Sequence, residues 1–212
     1  MIEVKPFVIT IVGAESSGKT TLALQLAEYF KSVYVPEYAR DYLALLERPY
    51  NEEDLLQIAN QQIGIINAFI SGEESAVNNI VNSEPSVVIN IVEPEPSAVR
   101  RNKQLESSQG GVELLDSINS KIENLNSKLV IVDGGMMTLR MWARIKYKIE
   151  IPVVEEALNN DSTDLYILCR PRKEWKFDPL REAPDLIMRA WIYNLYLEEL
   201  IQTSKDFEIV KV

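Results

Sequence analysis

The sequence predicts an α/β fold of three layers, with a mainly parallel sheet between two layers of helices. Short runs of β-branched and aliphatic residues alternate along the 212 residues with longer stretches that carry apolar residues at helical spacing. The first of these runs, residues 7–12, is almost wholly apolar, as in a strand that is buried on both faces of a parallel sheet. Strands that alternate with helices imply right-handed crossovers, which place helices on both faces. We therefore expect a single domain over residues 1–212.

Five short apolar runs are predicted as strands. The first run stops at Gly13, the second at Pro36, and the third ends in the carboxylate of Asp133. In order, the predicted strands cover residues 7–12, 33–35, 129–133, 164–169 and 207–212. Apolar residues at intervals of three and four predict the helices that connect them. These helices cover residues 20–31, 54–70, 112–125, 136–147, 153–159 and 185–203.

Residues 71–111 differ in composition from the rest of the chain. Between Ser71 and Val99 there are five acidic residues, no basic residue and three prolines. This composition predicts an acidic, flexible insertion. Inside it, the run Val87–Val92 has the composition of an edge strand, so a short ordered strand remains an alternative there. The sequence does not identify a protein partner for this segment.

Composition excludes several classes of function. The chain carries 22 Lys and Arg against 32 Asp and Glu, a net charge of -10, which argues against a binder of DNA or RNA backbones. No apolar run approaches the roughly 20 residues that cross a bilayer, and the first residues lack the apolar core of a signal peptide. We therefore expect a cytoplasmic protein without a membrane partner. The single cysteine and the absence of histidine exclude an internal disulfide and Ser-His-Asp or Cys-His hydrolysis.

The turn after the first predicted strand matches the phosphate-binding pattern G-x-x-x-x-G-K-[ST]. It reads Gly13-Ala14-Glu15-Ser16-Ser17-Gly18-Lys19-Thr20, and Thr21 follows in the predicted helix. Two glycines let the backbone curl so that consecutive N–H groups point at an anion, and the helix N-terminus adds positive potential. The lysine would reach the β- and γ-phosphates, and the threonine hydroxyl would join the shell of Mg²⁺. The motif between strand and helix predicts a P-loop NTPase fold that binds ATP.

Asp133 ends the third predicted strand, where the second carboxylate of a P-loop site is expected. It would hold Mg²⁺ together with Thr20. The alternative is a capping aspartate at a strand–helix turn. Gly134 and Gly135 follow directly and would permit the close approach of a substrate or an unusual turn.

A basic loop at 170–184 follows the fourth predicted strand. Arg170 and Arg181 are its candidate catalytic residues, because a guanidinium stabilises the charge that spreads over a transferred phosphoryl group. A loop of this kind can close over ATP as a lid. The alternative is a solvated basic loop balanced by neighbouring acids. Trp175 either stacks on a nucleoside base or anchors the loop.

Glu37 and Arg40 follow the second predicted strand, at the same edge of the sheet as the phosphate-binding turn. Ligands of open parallel sheets bind beyond the carboxyl ends of the strands. Glu37 would accept the proton of an attacking hydroxyl or bind a ribose diol. The alternative for the two residues is a surface ion pair.

Together these stretches resemble the ribosylnicotinamide kinase domain of bacterial bifunctional NAD-biosynthesis proteins and the stand-alone AAA-like P-loop ATPases grouped with it. The resemblance covers residues 5–70 and 128–212. It is carried by the motif at 13–22, by Val35–Leu43, by residues 54–61, by Val130–Asp133 with Thr138 and Trp142, and by Trp175–Glu182.

The resemblance implies transfer of the γ-phosphate of MgATP to the 5′-hydroxyl of nicotinamide riboside, a small nucleoside. It implies that Glu37, Tyr38 and Arg40 contact the substrate. It also implies that Asp178 and Arg181 are lid residues near the active site, with Trp175 beside them.

The chain departs from this family at two places. The family usually has Asp-Thr-Asp where this chain has Asp133-Gly134-Gly135, and the segment at 71–127 is longer than the usual connection. Both departures favour a second hypothesis, in which the chain is an ATPase or a nucleotide switch that acts on an unknown partner. A relic that binds nucleotide without turnover is a third reading.

Overall fold

The computed structural model describes residues 5–73, 105, 108–123, 128–175 and 177–211 and contains one sheet in those ranges. Its strands are β1 (Phe7–Gly13), β2 (Val33–Val35), β3 (Leu129–Asp133), β4 (Leu165–Cys169) and β5 (Asp206–Val210). They pair in parallel in the order β2-β3-β1-β4-β5, with Ile9 of β1 opposite Ile131 of β3 and Leu165 of β4. The predicted α/β fold with a mainly parallel sheet is therefore confirmed.

The helices follow the strands along the chain. They are α1 (Lys19–Tyr29), α2 (Tyr38–Ala44), α3 (Glu52–Ser71), α4 (Gln109–Ile122), α5 (Gly135–Trp142), α6 (Pro152–Asn159) and α7 (Leu186–Gln202). A π-helical segment, Ala143–Tyr147, continues α5, so the single helix predicted at 136–147 consists of two kinds of turn. The sequence did not predict α2, which has seven residues. None of the helices within the described ranges is both long and apolar enough to cross a membrane.

Side chains alternate between the two faces of β1 and so separate two cores. Ile9 and Ile11 pack with α1 and α4 on one face. Val8 packs with α3 and α6 on the other face, where Val12 meets α5 and α7. The sheet is covered on both sides, and this burial explains why its inner strands β1, β3 and β4 are almost wholly apolar, whereas the edge strand β5 is half-buried and contains Asp206 and Glu208. The third layer predicted from the sequence is present.

Asparagine and glycine fix the two ends of α3. The Asn51 side chain accepts a hydrogen bond from the amide of Asp54, whose carboxylate accepts one from the amide of Asn51. This reciprocal pair is a capping box that satisfies two otherwise unpaired amides. Gly72, with a φ of 75°, ends the helix in the left-handed conformation. The predicted alternative strand at Val87–Val92 and most of the predicted insertion at 71–111 lie outside the described residues, and α4 begins at Gln109.

Candidate nucleotide-binding site

The turn from β1 to α1 forms a cradle, defined here as residues 13–20. Gly13 has a φ of 145°, and a Cβ atom at this position would lie 2.7 Å from the carbonyl oxygen of Cys169, so a side chain here would be both strained and blocked. Gly18 caps α1 with a φ of 92°. The Lys19 ammonium folds back to donate to the carbonyl of Ala14 at 3.2 Å. These conformations are those that a loop of inward-facing amides requires.

Asp133 lies at the end of β3 next to the cradle and is 1% exposed. Its carboxylate accepts hydrogen bonds from the hydroxyls of Thr20 and of Tyr34, the latter at 3.4 Å. The other oxygen, Oδ1, is buried and has no hydrogen-bond partner among the described residues. Burial raises the pKa of Asp133, and the charge of Lys19 opposes that rise.

This arrangement fits a magnesium ion. Mg²⁺ takes oxygen ligands and, in phosphate-transfer sites, uses one or two protein groups together with waters and phosphate oxygens. The Thr20 hydroxyl and the orphaned oxygen of Asp133 supply such groups. The described part of the chain holds no cluster of three or more Asp, Glu, Cys or His side chains. An ion here would therefore depend on the phosphates of a bound nucleotide.

Glu37 lies directly before α2 and lines the cleft beside the cradle. Gln62 of α3 holds the backbone on both sides of it: its Oε1 accepts from the amide of Tyr38 at 2.7 Å, and its Nε2 donates to the carbonyl of Pro36 at 3.2 Å. Burial raises the pKa of Glu37 to about 7, because the opposing effect of Lys19 is smaller and Asp133 adds a like charge. The Glu37 carboxyl therefore gains or loses its proton near neutral pH.

Gly134 and Gly135 form a tight turn directly after Asp133. Gly134 has a φ of 80° and Gly135 a φ of 62°, both in the region that favours glycine. A Cβ atom on Gly134 would lie 3.4 Å from Cδ of Glu37 and 3.3 Å from Oγ1 of Thr138, whereas one on Gly135 would lie 3.2 Å from Cγ2 of Thr10. Gly134 therefore makes room for the Glu37 side chain, and Gly135 packs against the core of the sheet.

The loop at 170–184, called the lid here, contacts the cradle. Arg181 donates to Oγ of Ser16 at 2.9 Å and lines the cleft. Asp178 forms an ion pair with Arg40 and lies 3.6 Å from Nε of Arg181. The structure thus places Arg40, Asp178 and Arg181 together beside the cradle, and their roles stay a prediction.

Three other candidates lie away from the cleft. Arg170 is exposed just after β4 and is not among the residues that line the cleft. Trp175 lies against the guanidinium groups of Arg181 and Arg189, at 5.8 and 5.1 Å from its ring centre, so it anchors the lid in this structure. Tyr38 is 3% exposed, packs in the hydrophobic core with residues of α3, and is not among the residues that line the cleft.

An apolar and aromatic wall completes the cleft, and the sequence analysis did not predict most of it. Its members come from α2, α3, α5, α7 and the segments between them. They are Leu43, Tyr50, Leu55, Ile58, Leu139, Trp142 and Tyr196. These residues are far apart in the sequence and share the spacing of ordinary core residues. Leu43, Leu55, Ile58 and Trp142 lie in segments that carry the family resemblance, but nothing in those segments marked them as a wall of the cleft. The wall gives the cleft an apolar side opposite its phosphate-binding side.

Comparison with known families identifies the chain. A model for an AAA domain family matches residues 8–88 and 100–212. The chain belongs to this AAA domain family. The resemblance predicted from the motifs is thereby confirmed at the level of the family, and the cradle, Glu37, Asp133 and the lid all lie inside the matched ranges.

Two curated relatives of this AAA domain are trifunctional NAD biosynthesis/regulator proteins named NadR. The protein from Salmonella typhimurium is 24% identical over 212 residues, which cover 99% of this chain and 40% of that protein. The protein from Escherichia coli is 24% identical over 208 residues, covering 97% of this chain and 39% of that protein. The chain thus spans about two fifths of the length of these relatives.

Solved structures give the same fold. A crystal structure of NadR in complex with NR superposes with a TM-score of 0.56 at 16% identity and covers 98% of this chain and 46% of that one. A second, in complex with NAD and AMP-PNP, superposes with a TM-score of 0.55 at 15% identity, with 98% and 45% covered. At this identity the likeness concerns the fold, which is that of P-loop kinases and ATPases.

Proposed function

We propose that the chain is an ATP-dependent kinase that transfers the γ-phosphate to the 5′-hydroxyl of a nucleoside, with nicotinamide riboside as the substrate. The observation that carries this proposal is the pair Glu37 and Asp133 beside Lys19, at the mouth of a cleft with an aromatic wall. Nucleotide binding needs the lysine and one carboxylate. A second carboxylate with a pKa of about 7 is suited to take a proton from an acceptor hydroxyl.

The cradle would hold the phosphates of ATP. Its inward amides and Lys19 would bind the β- and γ-phosphate oxygens, and the AMP-PNP complex of NadR supports an ATP-type nucleotide. Thr20 and Asp133 would hold Mg²⁺, which would supply positive charge to offset the negative charge of the phosphates. A second cleft, lined by Thr21, Gln25 and Arg172 among others, shares Thr21 with the first, and the adenosine would extend into it.

The acceptor would lie between the cradle and the aromatic wall. Its 5′-oxygen would form the new bond to the γ-phosphorus while the bond from that phosphorus to the bridging oxygen breaks and ADP leaves. The hydroxyl proton would pass to the Glu37 carboxylate. Lys19 and Arg181 would stabilise the charge on the transferred group, which is the larger contribution when the transition state is loose.

The cleft carries charges of both signs. It is lined by the acidic Glu15, Glu37 and Glu182 and by the basic Lys19, Arg40 and Arg181. The basic groups would face the phosphates, and the carboxylates would be available to a cationic acceptor. The pyridinium ring of nicotinamide riboside carries a positive charge and offers a flat face to Tyr50, Trp142 or Tyr196. The NadR complex with NR supports the same acceptor.

A second candidate function, that of an ATPase or nucleotide switch, is favoured by Gly134 and Gly135, which place no acidic side chain after Asp133. One assay separates the two candidates. The protein is incubated with MgATP, with and without nicotinamide riboside, and ADP and nicotinamide mononucleotide are both quantified. Formation of ADP that depends on the riboside and equals the mononucleotide formed supports the kinase. Equal ADP without the riboside supports the ATPase, and no ADP in either case overturns both.

Lys19→Ala tests the cradle in the same assay. Loss of the ammonium should lower turnover at least about a hundredfold, because it removes a charge aimed at the transferred phosphate. Lys31→Asn is the matched control, since Lys31 is an exposed lysine with a φ of 48° that asparagine tolerates. Full turnover in Lys19→Ala would show that the cradle is not the phosphate site.

A further inference from the structure

The Glu15 side chain leaves the cradle and binds the lid. Its Oε1 accepts a hydrogen bond from the amide of Glu182 at 3.0 Å, and its Oε2 accepts one from the amide of Ala183 at 2.8 Å. These partners are 167 and 168 residues away along the chain. The contact therefore joins two distant segments through both oxygens of one carboxylate.

Arg181, the residue before these two amides, reaches the next residue of the cradle. Its guanidinium donates to Oγ of Ser16 at 2.9 Å. Neighbouring cradle residues thus bind three consecutive lid residues, 181–183. Ala183 is fully buried, which fixes the backbone at this point. Together with the contacts of Arg181 with Asp178 and Trp175, these bonds hold the guanidinium beside the phosphate site.

Ordinary helix capping does not explain the contact. Helix α7 begins after the lid, and its own cap is Asp185, whose side chain accepts from the amides of Ile187 and Met188. Phosphate binding does not explain it either, because a carboxylate in an anion-binding loop repels a triphosphate. A charged residue at this position therefore has its clearest use in the bonds to the lid.

We propose that Glu15 is a positioning residue that holds the lid so that Arg181 lies over the cradle. The proposal rests on the function proposed above, since it assigns Arg181 to the transfer step. Glu15 itself touches no reacting atom. It acts through the backbone of Glu182 and Ala183, and both of its oxygens are needed.

Kinetics provide the first test, with Glu15→Ala and Glu15→Gln in the full chain. Alanine removes both acceptors and glutamine keeps one, so kcat for riboside-dependent ADP formation should fall about tenfold for alanine and less for glutamine. KM for ATP should stay within about twofold, because the amides of the cradle remain. Glu47→Ala, an exposed glutamate outside the site, should match the wild type. An unchanged kcat in Glu15→Ala, or a loss confined to KM, would overturn the proposal.

Limited proteolysis provides a second test that needs no turnover. Trypsin cuts after lysine and arginine, and the lid contains several such sites between 170 and 181. Without nucleotide, Glu15→Ala should be cut in this range about fivefold or more faster than the wild type, because a released lid opens more often. Fragment masses assign each cut, and cutting elsewhere should keep its wild-type rate if the variant is folded.

The two tests distinguish a failure of the proposed function from a failure of the role proposed for Glu15. If the wild type shows no turnover but Glu15→Ala exposes the lid, the proposed function is wrong while the contact between Glu15 and the lid stands. If turnover is present but lid cutting is the same in both proteins, the positioning role of Glu15 is wrong. General unfolding would instead raise cutting throughout the chain and lower the melting temperature by circular dichroism, and Glu15→Gln then decides the case.

Discussion

Glu37 shows how one side chain acquires a reactive pKa from its surroundings. Burial in the cleft favours its neutral form, Lys19 favours the charged form, and Asp133 disfavours it again. The result is a pKa of about 7, well above that of an exposed glutamate. A base with this pKa is half ionised near neutral pH and can both accept and release a proton.

The pH profile of the wild type and of Glu37→Gln tests this role. Because the carboxylate is the active form, kcat/KM of the wild type should fall about tenfold per pH unit below about pH 7 and level off above it. Glu37→Gln should be at least about a hundredfold slower and lack this step. Glu198→Gln, at an exposed position on α7, is the control. A wild-type profile that is flat between pH 5 and 8 would remove Glu37 as the base.

The raised pKa of Glu37 makes the stability of the protein depend on pH. The pKa of Glu37 is about 4 in the unfolded chain and about 7 in the folded chain. Between these values the folded protein keeps a proton on Glu37 that the unfolded chain has lost. The free energy of unfolding therefore falls as pH rises through this range. Glu37→Gln should consequently melt at a higher temperature than the wild type at pH 8, which thermal denaturation can measure, although its activity is lower.

At the scale of elements, α3 positions the turn between β2 and α2. The Gln62 side chain is 2% exposed and binds one backbone group on each side of Glu37. A buried amide that pairs two backbone groups of one turn fixes the direction of the side chain between them. The position of Glu37 therefore depends on a helix that contributes no charge to the cleft at this point.

Gln62→Leu should loosen this turn without unfolding the domain. We expect kcat/KM to fall about tenfold and the pH midpoint of its profile to move below about 7, because a less constrained Glu37 is better solvated. The free energy of unfolding should drop by about 2 kcal/mol, since two backbone groups lose a buried partner. Gln61→Leu, the neighbour on the same helix, is the control. A loss of stability with an unchanged pH midpoint would make Gln62 purely structural.

Elements that depend on a pattern within their own segment were predictable from the sequence, and those that depend on contacts with distant segments were not. The cradle is a run of eight consecutive residues, and the strands and the longer helices have apolar patterns of their own, so each was predictable from its own segment. Helix α2 has seven residues and forms next to a turn that Gln62 holds from 24 residues away. The contacts of Glu15 span more than 160 residues. No pattern within one segment encodes such contacts, so only the folded structure shows which residues meet.

At the scale of the whole molecule, one network of charges joins α5 and α7, which carry part of the wall of the cleft, to α6. Arg140 of α5 donates to Glu155 of α6 at 3.0 Å and to Glu199 of α7 at 2.7 Å. Arg144, in the π-helical segment, donates to Glu199 at 2.6 Å. These side chains are largely but not fully buried, with Arg140 16% exposed. The network therefore holds three helices against each other at one side of the sheet.

Arg140→Met should lower the melting temperature while leaving the cradle intact. Two carboxylates lose a partner that is partly shielded from water, so we expect a loss of about 1 kcal/mol, or about 2–4 °C for a chain of this size. In about 1 M salt the difference should shrink, because ions screen the lost pair. Differential scanning calorimetry measures both, and Lys173→Met, on an exposed part of the lid, is the control. An equal melting temperature at low salt would show that the network does not stabilise the fold.

The packing of Gly13 against β4 has a consequence for how the domain can be monitored. Cys169 is the only cysteine of the chain, is fully buried, and has a thiol pKa that burial raises to about 12. The backbone of Cys169 pairs with that of Gly13, and its carbonyl oxygen would clash with any side chain there. The thiol therefore lies where β1 and β4 pack closely. Alkylating reagents can reach this thiol only while β1 and β4 are locally separated. The rate at which Cys169 is alkylated in the folded protein therefore reports how often β1 and β4 separate at this end of the sheet. A tightly bound nucleoside triphosphate should lower that rate.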